Sequence, residues 1–112
     1  MQSRQNERFQ PFIVSVNDIV SVMKRKERYI EELNFGDFTD ISNEIKEKRV
    51  AFESMFKPLK EDQNPPRLTE DQKKLFEKVI EDANLGIESS NLKVVRNSIK
   101  DLESFRDRII NS

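Results

Sequence analysis

The sequence predicts an all-α fold, an antiparallel three- to four-helix bundle with coiled-coil-like packing. Apolar residues recur at alternating four- and three-residue spacing over two long stretches, the signature of helices that meet along a seam. Chain breakers are few and grouped, with 2 Gly and 4 Pro in 112 residues. A composition of 37% charged and 35% hydrophobic residues suits long amphipathic helices better than a turn-rich β fold. One domain is expected at this length.

Residues 1–10 are polar and are expected to form a flexible N-terminus, leaving 11–112 as a single helical-bundle domain. Phe12, Val16, Ile19, Met23, Ile30 and Leu33 then make the first seam, and Lys26 stands in the one slot that breaks it. Pro11 fits the first turn, where its missing N–H has no intrahelical acceptor to lose, so the first helix is expected over about 11–34. Gly36 supplies the left-handed conformation that ends a helix, and Asp37 or Thr39 can accept from the free amides of the next. The second seam runs through Phe38, Ile41, Ile45, Phe52, Met55 and Leu59, with Lys48 in its missing slot, predicting a helix over about 38–57 that stops at Pro58. So short a turn makes the two helices antiparallel neighbours.

The stretch 57–67, KPLKEDQNPPR, holds three of the four prolines and reads as an extended connector. Thr69 followed by Gln72 is a capping box that starts a third helix over about 69–110. Two seams share this last segment. Phe76, Ile80, Ala83, Ile87 and Val94 define one; Leu85, Leu92, Val95, Ile99, Leu102 and Ile109 define another, displaced by more than a quarter turn. Either the helix bends near Gly86 or in Ser89-Ser90-Asn91, turning both seams to one core, or it stays straight and carries apolar surface on two sides.

Composition removes most chemistries. Cysteine and histidine are absent, which excludes disulfides, thiol chemistry, Cys/His zinc sites and imidazole-based mechanisms. No glycine-rich phosphate loop can be built from Gly36 and Gly86, and no cofactor is expected. A formal charge of −1 leaves no footprint for nucleic acid or an anionic membrane. The acidic pairs Glu31-Glu32, Asp37/Asp40 and Glu61-Asp62 belong to solvent faces, a connector or a cap, not to a facing carboxylate pair. The basic run 23–28 is followed directly by acids and reads as a solvated face. Phe12, Phe38, Phe52, Phe76 and Phe105 fall on seams, whereas Phe9, Phe35 and Phe56 are open to either core or partner roles. Neither a signal-type apolar run nor a membrane span appears, and a cytoplasmic location is expected.

The run LNFGDFTDISNEIKEKRVAFESMF places Leu33, Gly36, Asp37, Ile41, Ile45, Lys48 and Phe52 at a Leu-x-x-Gly-Asp turn and on the helix after it. In this it resembles the hairpin of FlgN-type flagellar export chaperones, and NLGIESSNLKVVRNSIKDL is similar in style to that family's C-terminal helix. The resemblance implies a bundle that binds the C-terminal helical region of hook-associated proteins, prevents premature assembly and delivers the client for export. Helix-in-groove recognition is the corresponding physics. Separately, the displaced seam makes Leu85, Leu92, Val95, Ile99 and Leu102 the expected partner-binding residues. Their partner would be an amphipathic client helix or, if the chain is a structural or adaptor bundle, a second copy of itself.

Overall fold

The computed structural model describes the backbone of residues 3–32, 38–62 and 68–111, and the side chains of 9–32, 39–62 and 68–109. Four helices make up the described residues: α1 (Ser3–Glu31), α2 (Phe38–Glu61), α3 (Glu70–Glu88) and α4 (Leu92–Asn111). They pack in a ring, α1 on α2, α2 on α3, α3 on α4 and α4 on α1, in a body 48 × 25 × 19 Å. Ion pairs and a hydrogen bond crossing the grooves fix the antiparallel sense. Asp18 meets Lys48 and Arg25 meets Glu44 between α1 and α2. Between α1 and α4, Asn17 meets Arg106, Lys24 meets Glu103 and Glu27 meets Arg96, so numbers fall on one helix as they rise on the other.

Helix α1 begins at Ser3, earlier than its seam predicts, and takes Pro11 into its interior. Phe9 explains the extension, because its ring is buried against Phe12 and Phe76 and the core therefore reaches one turn beyond Pro11. Likewise α2 runs through Pro58 to Glu61, with Phe56 buried and Leu59 packed on the core. The Gly36-Asp37 turn, Phe35 and connector residues 63–67 lie outside the described residues.

The expected single helix over 69–110 is two helices. Thr69 and Gln72 form the capping box, with Thr69 N–H donating to the Gln72 side chain at 2.9 Å and Gln72 N–H to Thr69 Oγ1 at 3.1 Å. At the other end Ser89 leaves the helix at φ −89°, ψ 139°. Asn91 then opens α4, its side-chain oxygen accepting from the amides of Lys93 and Val94 at 2.9 and 3.4 Å. This break in Ser89–Asn91 swings both displaced seams toward one interior. The alternative of a straight helix with two apolar sides is not what the chain adopts.

Phenylalanines build one end of the core. Phe76 stacks on Phe12 at 5.0 Å and meets Phe9, Phe52, Phe56 and Phe105 edge-on at 5.8, 6.0, 5.2 and 5.2 Å. Offset and edge-to-face arrangements of this kind contribute beyond simple area burial. Val16, Ile19, Met23, Ile45, Val79, Ala83, Val95 and Leu102 continue the core. No described helix is long and apolar enough to cross a membrane.

Candidate functional site

The bend disposes of the predicted partner stripe. Val95, Ile99 and Leu102 are 0%, 5% and 0% exposed, buried in the chain's own core, and Leu92 packs against that core. Leu85 alone of the five stands open, at 49%, on the outer side of α3. The structure therefore does not bring these residues together as one outward surface. A straight seam would have displayed them; the three-residue break turns α4 so that its apolar face closes the bundle.

What remains accessible near them is a shallow groove of about 540 Å³ along the α1–α4 seam, lined by Glu27, Leu92, Lys93, Arg96, Asn97, Ile99 and Lys100. An adjoining depression of about 610 Å³ shares Glu27 and Ile99 and is bounded by Lys24, Arg25, Arg28, Glu31 and Glu32. Helix α1 supplies one wall and α4 the other. Arg96 ties them together through Glu27 at 3.4 Å and Glu31 at 3.2 Å. On the rims, Lys24, Arg25 and Arg96 are paired with Glu103, Glu44 and the Glu27/Glu31 pair, which leaves Arg28, Lys93 and Lys100 against Glu32 and gives the groove a mildly basic margin.

Lys26 departs from the solvated face expected of residues 23–28. It is 0% exposed and reaches across the bundle to the end of α3, donating to Gly86 O at 2.5 Å, Ile87 O at 2.9 Å and Ser42 Oγ at 3.2 Å. The last carbonyls of a helix have no intrahelical donor, so the ammonium acts as a C-terminal cap supplied from another element. Burial pulls its pKa down to about 8, and the oxygen acceptors around it favour retention of the charge at neutral pH. Gly86 is part of this arrangement: a Cβ there would collide with Met23 Cε, so only glycine lets α1 approach α3 this closely without Met23 moving. The remaining members of the run, Lys24 and Arg25, pair with acids on the surface as expected.

A second buried ionisable group lies one turn before Gly86 on the same buried side of α3. Asp82, 6% exposed, lines a small cavity of about 130 Å³ between α3 and α4 with Lys78, Asp101, Ser104 and Arg108. Burial first, then the Asp101 carboxylate, push its pKa up to about 6; Lys78 pulls the other way and Glu81 adds a smaller rise. Among the described residues, no group of three or more His, Cys, Asp or Glu side chains could hold a metal ion.

Sequence reasoning noticed Lys24, Arg25 and Arg28 of this margin but read them as a solvated face, and it overlooked Asp82 because nothing in its neighbourhood breaks a pattern. Lys26 did carry a signal. It occupies a seam position where an aliphatic residue belongs. Set against family models, curated proteins and solved structures, the chain matches none, so its functional reading rests on its own residues.

Proposed function

We propose that the chain is a non-enzymatic helical binding protein, an export or assembly chaperone of the cytoplasm that holds an amphipathic helical segment of a flagellar hook-associated protein. The observation that carries this reading is the α1–α4 groove, where partly exposed Leu92 offers an apolar contact over buried Ile99 beside a mildly basic margin. A client helix with leucine-type anchors on one side and acidic flanks would complement it in shape and charge. The resemblance of residues 31–56 to the FlgN-type hairpin supports the same class of client.

Magnitudes favour a transient grip. Each buried apolar anchor contributes about 1.5 to 3 kcal/mol before the ordering of the client is subtracted. A shallow groove whose accessible apolar surface is mainly Leu92 gives weak binding, which suits a partner that must be handed on. The test uses a fluorescently labelled amphipathic peptide with leucines at helical spacing and glutamates beside them. Leu92→Glu is expected to weaken its binding about tenfold or more; because Leu92 also packs against the core, some loss in the thermal unfolding midpoint is expected and the affinities are compared well below it. Equal affinity in the wild type and Leu92→Glu, with the fold intact, removes the groove from the account.

A further inference from the structure

The end of α3 is contested by two donors. In an uninterrupted helix, Gly86 O would accept from the Ser90 N–H and Ile87 O from the Asn91 N–H, following the Leu85 O···Ser89 N bond that is present at 2.9 Å. Lys26 occupies those next two carbonyls. Helix α3 therefore stops where α1 delivers an ammonium, and one amide that would have continued it turns elsewhere: Asn91 N–H donates to Ser89 Oγ at 3.0 Å. Nothing in the break itself forbids continuation. Ser89-Ser90-Asn91 contains neither proline nor glycine, and no proline occurs from 68 to 112.

We infer that Lys26 is a latch on helix continuation, and that releasing it joins α3 and α4 into one helix whose α4 half packs into a second copy of this chain. The sequence pattern explains why the occupant is a second copy. On a continuous helix the α3 and α4 seams are displaced by more than a quarter turn, so they face two different bodies. Freed from its own bundle, α4 exposes Val95, Ile99, Leu102, Phe105 and Ile109, all buried in the closed chain. A hinge of three residues and a reciprocal exchange of α4 restore every one of those contacts, because the same helix meets the same α1 and α3 surfaces in the partner. A joined helix over 70–111 spans about 63 Å at roughly 1.5 Å per residue, longer than the 48 Å body, so it must project beyond the first bundle.

The inference is independent of client docking, and its test reads mass instead of peptide affinity. Light scattering after size exclusion is run over a hundredfold concentration range on the wild type, Lys26→Met and Lys26→Met/Ser90→Pro. Methionine fills the seam slot without supplying a donor, so Lys26→Met is expected to show twice the chain mass at high concentration, where the wild type shows the single-chain mass. Proline at 90 removes the continuing N–H, and it accepts the extended backbone already present at Ser89, so the double variant returns to single-chain mass. A Lys26→Met protein that stays single-chain, or a double variant that remains dimeric, overturns the inference. Should Lys26→Met fail to fold, the replacement of Ser89, Ser90 and Asn91 by alanine keeps the latch but strengthens continuation. It is expected to dimerise at concentrations where the wild type does not, and its remaining single-chain overturns the inference equally.

Discussion

Asp82 and Lys26 are buried charges with opposite settlements. Lys26 is surrounded by oxygen acceptors at the end of α3, so its charge has a structural use. Asp82 instead faces the Asp101 carboxylate across the α3–α4 seam, with Lys78 and Arg108 at the margin of the same cavity. Its folded-state pKa of about 6 lies above the ordinary 3.8, which means the folded chain binds a proton more tightly than the unfolded one. The stabilising contribution of the neutral acid is thus complete below about pH 4 and is lost as pH rises through 6. At roughly 1.4 kcal/mol per pKa unit, the difference approaches 3 kcal/mol. Asp82→Asn is therefore expected to be stabilising at pH 7 by about 2 to 3 kcal/mol and near neutral at pH 4. Urea unfolding of both proteins at the two pH values reads this directly. A gap between them that does not change with pH contradicts the assignment.

At the level of elements, the helices differ from the sequence pattern chiefly where proline is concerned. Pro11 is exposed and lies inside α1, past its first two turns, where its ring crowds the preceding turn and its nitrogen cannot donate to the carbonyl of Glu7. The helix persists because Phe9 is anchored in the core beyond it. Pro11→Ala is expected to stabilise the chain by about 1 to 3 kcal/mol, and to slow amide hydrogen exchange over residues 3–10 most of all. Unchanged protection there would mean that the proline is not a weak point in α1. The four-three seams of α1 and α2 were legible because burial on one face imposes a period that survives substitution among Ile, Val, Phe and Met. The Thr69–Gln72 start was legible because its hydrogen bonds are local. Three things were not. The extension to Ser3 depends on Phe9 meeting Phe76, far away in sequence. The choice between bend and straight helix depends on Lys26, which is sixty residues from Gly86. The burial of Val95, Ile99 and Leu102 follows from that bend, so residues identified correctly as a second apolar row were assigned to the wrong side of the molecule.

For the molecule as a whole, the packing concentrates on one ring. Phe76 from α3 meets aromatic rings from α1, α2 and α4, so a single side chain connects all four helices at one end of the bundle. A domain of this size has a net stability of about 5 to 15 kcal/mol, and truncating a buried phenylalanine to alanine typically removes 3 to 5 of it. Because five surrounding rings are themselves locked by Phe76, collapse around the vacancy is restricted and the loss should fall at the upper end of that range, about 4 to 5 kcal/mol. Phe105 touches the same ring from α4 at 5.2 Å, so the two losses are not independent. Denaturant unfolding of Phe76→Leu, Phe105→Leu and the double variant is the measurement, with leucine chosen to keep the chain folded. The double variant is expected to lose less than the two single losses added together, by about 0.5 to 1.5 kcal/mol. Strict additivity would mean that the phenylalanine cluster is a set of separate pairwise contacts, and that the two halves of the bundle are joined by the ion pairs and aliphatic layers instead.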